Sequence, residues 1–379
     1  MLIIMTSPDA VLRGGKPEGS IVKVLTDVRA ANNPVALVSN HREPAWFAPT
    51  FANTGVQFLQ VRGRQSGENI SVNAKKFKLN PHDVLVLAAK DEDVQMGKNG
   101  GAVLVAAGWA SSPQLASLGI RVDDAKQLQE VIDLTKGWPG QWWFSANGPR
   151  YGVRALADLS QYGKDLPQQV FAQKLTQTVK NGGSRLNALL AVTARSLLTE
   201  GVAIEPDLLW GVYPSSSSTN KDTETLSDFT HRLRTTVSRV RFSKRGEPLF
   251  IRHRSSARRS AGGGGDRTDP SDQLLSLHIN PFYREKGRLG GKRVIVVDDC
   301  TTYGASFGVA ASLLLKAGAA SVTGVALGKF GGQLRAFDID VRGNPYAPLA
   351  QSDFSVNSVS GLSGSTSSAS QRNLLTLIP

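Results

Sequence analysis

Two adjacent aspartates end a run of apolar, mostly β-branched residues in 294-VIVVDDCTTYGAS-306, and small or hydroxyl-bearing residues follow them. The apolar run reads as a buried strand, and 309-VAASLLLKAG-318 reads as the helix after the turn. In an open α/β sheet, ligands bind beyond the C-terminal ends of the strands, which is where Asp298 and Asp299 stand. Backbone N–H groups from Thr301 to Ser306 can close on an anion at the start of the helix, whose dipole favours negative charge there. The hydroxyls of Thr301, Thr302 and Ser306 add donors. Two carboxylates beside a phosphate would repel it unless they face the hydroxyls of a sugar, or a magnesium ion held by that sugar. Ribose 5-phosphate carrying a pyrophosphate meets each of these demands.

The elements that must hold this turn read as two α/β units. Strands are expected near residues 2–5, 35–40, 83–89 and 102–109, with helical patterns between them such as 123-DDAKQLQEVIDL-134. The segment 136-KGWPGQWWFSANGP-149 is dense in Gly, Pro and Trp and marks the boundary. A second unit follows, with amphipathic helices at 167–179 and 185–201 and a strand at 207–214 that runs into Ser215 to Ser218. The Gly- and Asp-rich stretch 261–273 reads as a mobile loop. The 294–297 strand, its helix and a strand at 321–328 come next. Residues 355–370, rich in Ser and Gly, read as a flexible tail. The divisions expected are 1–138, 139–335 and a C-terminal extension, 336–379.

Composition narrows the setting. The chain has 379 residues and 40% hydrophobic content, enough for two cores. No apolar run approaches the ~18 residues of a membrane span, and the start lacks the basic and cleavage regions of a signal peptide. The single cysteine, Cys300, excludes an internal disulfide, so a reducing cytoplasm is expected. Cys300 reads as a small half-buried residue, and His231, His253 and His278 show no ligand spacing. The net charge is +13, and residues 231–260 hold ten Lys/Arg against one acid, Glu247. Such a block suits nucleic acid or a small polyanion. Few aromatics interleave with it, which counts against a base-stacking platform.

VIVVDDCTTYGAS resembles the phosphoribosyl-pyrophosphate (PRPP) motif of type I phosphoribosyltransferases: four apolar residues, two acids, two variable residues, then a Thr-Thr-Gly-x-Thr variant. Tyr303 replaces a small hydroxyl residue and Ser306 replaces Thr. The resemblance implies that Asp298 and Asp299 bind the ribose hydroxyls directly or through Mg2+, the only cofactor it calls for. It implies that Thr301, Thr302, Tyr303, Gly304, Ala305 and Ser306 cradle the 5-phosphate. Ser215, Ser216, Ser217 and Lys221 stand where the family binds pyrophosphate. The cations of residues 250–288, Arg252 and Arg254 first among them, with Arg258, Arg259, Arg267, Arg284 and Lys286, occupy the place of its mobile loop. Residues 151–164 and 277–299 look most like the competence-protein branch. Thr302 stands where purine-salvage members carry an acid, so no catalytic base is assigned. The implied partners are PRPP and a small-molecule acceptor, with a homodimer common in the family.

The N-terminal unit resembles the haloacid dehalogenase (HAD) superfamily in degraded form. Within 2-LIIMTSPDAVL-12, Ser7 aligns with the family's nucleophile and Asp9 with its general acid. Ser39 matches the second signature, and Lys75, Lys76 or Lys78 the third, Lys76 being preferred. In 85–106, Ala89 stands in place of the first acid of the fourth signature and Asp93 matches the second. A carboxylate nucleophile is needed for an aspartyl-phosphate intermediate, and acids are needed to hold Mg2+. The unit therefore reads as an inactive or repurposed HAD-like domain, unless Asp91 replaces the missing ligand. The leading reading is a Mg2+- and PRPP-dependent transferase. The others are a non-catalytic PRPP or nucleotide sensor, a nucleic-acid-binding protein and a HAD-type phosphatase.

Overall fold

The computed structural model describes residues 1–183, 185–240, 243–256 and 266–378. Arg258, Arg259 and the first residues of the Gly-rich 261–273 stretch lie outside them. The chain divides into two compact units. The first comprises Met1–Gly140, Asn187–Glu205 and Arg232–Arg239, and the second comprises Gln141–Leu186, Pro206–His231 and Val240–Pro379. Among the described residues, no helix is long and apolar enough to cross a membrane.

In the first unit the chain runs β1 (Ile3–Thr6), α1 (Pro8–Val11), a small hairpin of β2 (Leu12–Arg13) and β3 (Lys16–Pro17), α2 (Gly19–Ala30) and β4 (Val35–Ser39). It continues through α3 (Phe47–Phe51), β5 (Gln57–Gln60), α4 (Glu68–Lys76), β6 (Val84–Ala88), α5 (Asp91–Gly100), β7 (Val103–Ala107), β8 (Arg121–Val122) and α6 (Ala125–Gly137). The six-stranded sheet has the order β5-β4-β1-β6-β7-β8, all parallel. Every residue of β1, β4, β6 and β7 is buried, as expected of strands covered by helices on both faces. From central β1 the chain winds outward through β4 and β5, then crosses to β6 and winds the other way. The winding direction thus reverses between β1 and β6.

The second unit opens with β9 (Phe144–Asn147), β10 (Gly152–Asp158) and α7 (Leu166–Asn181). The next helix, α8 (Leu186–Thr199), groups almost wholly with the first unit, although its sequence position placed it in the second. The reason is chemical. Residues 189–198 are all buried, and the polar ones find partners in the first unit. Arg195 pairs with Asp83 at 2.5 Å, and Ser196 Oγ accepts from the Trp138 indole at 2.9 Å.

The chain then gives β11 (Leu208–Val212), α9 (Thr225–Val237), β12 (Phe250–Arg252), α10 (Ser271–Leu274), β13 (Leu277–Ile279), β14 (Arg293–Thr301), α11 (Ala305–Lys316) and β15 (Ser321–Lys329). It ends with β16 (Leu334–Val341), β17 (Phe354–Leu362), β18 (Ser365–Thr366) and α12 (Ser368–Leu377). The sheet order is β11-β14-β15-β10-β9-β18. The first four strands are parallel, and β9 and β18 add antiparallel at one edge.

The Ser-rich segment is ordered rather than a free tail. β16 and β17 form a hairpin in which Phe337 faces Val359, and β18 pairs with β9. Ser367 caps α12 by accepting from Ser370 N at 3.1 Å. Gln371 then accepts from Asp158 N at 2.8 Å, at the end of β10.

Candidate functional site

In the second unit a cavity of about 1110 Å3 opens at the C-terminal ends of β11 and β14. That is slightly above the roughly 300–1,000 Å3 of common small-molecule pockets. Asp298, Asp299 and the whole run from Cys300 to Ser306 line it, together with Ser215, Ser216 and Ser217 from the loop after β11. Lys180 of α7, Arg267, Glu224 and Phe330 complete its chemistry. Its lining thus carries the β14 diacid and Glu224 together with cations, which suits a ligand with both hydroxyls and anionic groups.

The turn after β14 is shaped by glycine. Gly304 has φ of +84°, and a Cβ there would lie 2.8 Å from Leu334 Cδ1. Both facts exclude a larger residue without movement. α11 starts at the next residue, so its free N-terminal N–H groups and dipole face the turn. Asp298 is buried and is held by Asp299 N at 2.9 Å and by the Ser306 hydroxyl at 2.7 Å. Ser306, assigned to phosphate, therefore gives its hydroxyl proton to Asp298 in this state. Burial, with the Asp299 charge beside it, holds the Asp298 carboxyl well above the usual range. Burial, with the two aspartates, also pushes the Cys300 thiol upward, so it is no nucleophile.

The serine loop is braced rather than loose. Ser218 Oγ and Thr219 N donate to the Glu224 carboxylate at 2.9 and 2.8 Å. Arg252, expected to meet phosphate, lines the cavity but is 5% exposed and gives its guanidinium hydrogen bonds to the fold. It donates to Ser276 Oγ at 2.8 Å and to Pro214 O at 3.0 Å, fixing the residue before the loop. Lys221 and Arg254 are exposed and do not line the cavity. The lining cations that sequence reasoning missed or ranked low are Lys180 and Arg267. Lys180 carries no signal beyond its place near the end of α7.

Within the basic 231–260 block, some of the described cations are engaged by the fold, while Arg239, Lys244 and Arg254 are exposed. Arg232 donates to Gly119 O at 2.7 Å and to Asn187 Oδ1 at 2.6 Å. Arg245 pairs with Asp228 at 3.0 Å. The His253 and His278 rings stack with centroids 5.5 Å apart, and His231 meets Asp222 at 3.1 Å.

The first unit gathers polar groups at its own strand ends. Ser7, after β1, donates to Asp93 Oδ2 at 2.8 Å. Asp93 also accepts from Ala89 N and Lys90 N, both at 3.0 Å, and so caps α5. Its other oxygen lies 3.2 Å from Arg64 Nε, close enough for an ion pair but without the alignment of a hydrogen bond. Asp93 is 0% exposed and Arg64 5%. Burial raises the Asp93 pKa, and Arg64 pulls it back. The cation of this cluster is thus Arg64 and not Lys76, whose ammonium lies over the Phe77 ring. Asp9 is paired with Lys90 at 2.8 Å, Ser39 accepts from His41 N at 3.1 Å, and Asp91 takes the Ser112 hydroxyl. Each carboxylate near these strand ends already has a partner. Among the described residues, no group of three or more His, Cys, Asp or Glu is arranged to hold a metal.

No protein-family model matches the chain, and no curated protein does. Among solved structures, it is similar to the cobalt-bound deoxy-D-mannose-octulosonate 8-phosphate phosphatase of Haemophilus influenzae, with 13% identity and a TM-score of 0.31. That likeness covers 36% of this chain and 86% of the phosphatase. A protein described as a HAD-family hydrolase from Streptomyces avermitilis gives 14% identity and a TM-score of 0.23, over 31% of this chain and 88% of that one. Both align with the N-terminal region. At such scores the likeness carries no argument about activity, and the first unit is read from its own sheet order and side chains.

Proposed function

We propose that the second unit binds PRPP with Mg2+ and transfers its ribosyl phosphate to a base or amine, releasing pyrophosphate. One observation carries this reading. A single cavity holds the diacid, the glycine turn at the start of α11 and the braced serine loop of the neighbouring strand. The turn offers N–H groups to the 5-phosphate, Asp298 and Asp299 face the ribose hydroxyls, and the serine loop takes the pyrophosphate. Two adjacent carboxylates fit Mg2+, which takes one or two protein oxygens and completes its shell with ligand phosphates and water. Bound there, Mg2+ would neutralise charge on the leaving pyrophosphate. In the reaction, the bond from the anomeric carbon to the pyrophosphate oxygen breaks and a bond to the acceptor nitrogen forms. The protein's share is to position the sugar and stabilise developing charge.

In the same reading, the first unit is a HAD-like domain without HAD chemistry. Its sheet order favours the family, but Ser7 is no carboxylate and Arg64 occupies Asp93. Hydrolysis of p-nitrophenyl phosphate with Mg2+ is expected to be absent. Turnover that vanishes in Asp93→Asn would restore a phosphatase.

Calorimetric titration of PRPP with and without Mg2+ tests the main reading. Binding is expected to require Mg2+ and to fall by at least about 100-fold in Asp298→Asn/Asp299→Asn, which is about 2.8 kcal/mol. No binding to the wild type overturns it. Binding without pyrophosphate release in any screen of bases and amines would favour a sensor.

A further inference from the structure

Lys329, the last residue of β15, is fully buried, yet its ammonium reaches no carboxylate in hydrogen-bonding range among the described residues. It donates to backbone carbonyls instead: Thr302 O at 2.9 Å, Gly331 O at 2.6 Å and Gln333 O at 2.6 Å, with Phe330 O more distant at 3.5 Å. The three nearer acceptors use all three of its donors. The Phe144 ring faces it, with its centroid 5.0 Å away. Burying a cation is costly unless hydrogen bonds replace its water, and here, among the described residues, only carbonyls do so.

The consequence is visible in the turn. Thr302, Tyr303 and Gly304 line the cavity. In a trans peptide the C=O and the following N–H point in opposite directions. Drawing Thr302 O down onto Lys329 therefore turns the Tyr303 N–H to the other side. Among the described residues, the Tyr303 and Gly304 N–H groups have no protein partner. The same ammonium ties the turn to residues 331–333, whose strand continuation holds Tyr303 O through Arg335 N at 2.9 Å. We propose that Lys329 is the positioning residue that holds the Thr302–Gly304 turn in its anion-accepting form. This role rests on the PRPP reading of the cavity.

The charged neighbours fix the pH behaviour. Asp158 of β10 is the register partner of Lys329 and is itself paired with Lys164 at 3.3 Å. Asp298 and Asp299 precede Thr301, the register partner on β14, and Arg335 follows on β16. Burial lowers the Lys329 pKa from 10.5 to about 8, with Asp158 opposing the shift. The charged form is thus disfavoured in the fold. Folded stability rises as pH climbs from about 8 towards 10.5, while the carbonyl tether is lost as pH passes through about 8. A phosphate is already fully ionised above its second pKa of about 6. That ionisation therefore does not mimic a fall in affinity.

The test is PRPP titration with Mg2+ on the full chain between pH 7.5 and 9.5. The wild type should lose about tenfold in affinity across that range. Lys329→Met should bind at least about tenfold more weakly at pH 7.5 and show no such fall, and Lys329→Arg should recover most of the affinity and also stay flat. Wild-type binding with an unchanged Lys329→Met overturns the role while leaving the PRPP reading intact. No wild-type binding overturns the PRPP reading and the role with it. Should Lys329→Met fail to fold, Lys329→Gln decides, and Mg2+-dependent PRPP affinity unchanged from the wild type at pH 7.5 in that variant overturns the role.

Discussion

Each unit of this chain ends a central parallel strand in a polar turn, but the two turns treat charge in opposite ways. In the first unit, Asp93 is met by Ser7, two backbone N–H groups and the guanidinium of Arg64. The site is complete within itself. In the second unit, Asp298 is also buried, but its protein partners are only a neighbouring N–H and a serine hydroxyl, with a second acid beside it. No cation of the chain is set against it by a salt bridge among the described residues. A buried acid with an internal cation is a structural device. A buried acid beside a second acid, with no cation of its own, keeps its proton more readily and lines a cavity.

The largest effect that could break this contrast is on Arg64. Breaking a buried ion pair from one side leaves an uncompensated charge and costs about 3–5 kcal/mol. Arg64→Ala should lower stability by that amount in chemical denaturation. Arg267→Ala, at an exposed cation of the second unit's cavity, should stay within about 0.5 kcal/mol. The Asp93 pKa is raised in the fold, so stability is lost as pH rises from the ordinary 3.8 to the raised value. Without Arg64 that value climbs further. The Arg64→Ala deficit should therefore be largest near pH 7 and shrink towards pH 4. A deficit that is small and independent of pH would mean Asp93 is not ionised beside Arg64, and the first site would no longer count as charge-compensated.

A middle-sized effect separates a glycine that shapes a site from one that ends a helix. Gly304 and Gly101 both have positive φ, +84° and +73°. An L-residue in that region costs roughly 1–2 kcal/mol. Gly101 closes α5, and a Cβ there meets Ala203 at an ordinary 3.6 Å. Gly304→Ala adds a 2.8 Å approach to Leu334, so the turn must move. It should weaken PRPP binding by about tenfold as well as lower stability. Gly101→Ala should lower stability by about 1 kcal/mol and leave binding alone. Equal effects on binding would remove the claim that the Gly304 turn is built for a ligand.

The sequence made some of this legible and hid the rest for identifiable reasons. The strands β1, β4, β6, β7 and β14 were readable because each contains an unbroken apolar run. The diacid turn was readable because its residue types and order are unusual. Arg64 was not, since its partner lies 29 residues on and a lone arginine in a loop has no period. Lys76 was a better sequence candidate and a worse structural one. α8 sits between elements of the second unit in the chain, and an amphipathic pattern does not say which core the helix joins. Lys329 was unremarked because its partners are carbonyls, which have no letter in the sequence. The C-terminal segment misled through composition. Its serines and glycines mask the pairing of Phe337 with Val359, and one register shift at Asp338 and Ile339 breaks the alternation.

The smallest predicted effect tests whether that segment matters to the second unit at all. Gln371 is 8% exposed. Its side chain accepts from Asp158 N at 2.8 Å and donates to Gln168 Oε1 at 2.8 Å, so it closes the end of β10 much as Ser7 and Arg64 close the end of β6. The groups here are neutral amides, so no buried charge is stranded when one is removed. Losing the Gln371 amide would leave the Asp158 N–H unpaired, at a cost of about 1 kcal/mol. Gln371→Ala should lower the thermal midpoint by about 2–4 °C and speed proteolytic cleavage after residue 362. A flexible tail predicts neither change. The difference from Arg64→Ala would then measure how much more a charged closure is worth than a neutral one at the end of a parallel strand.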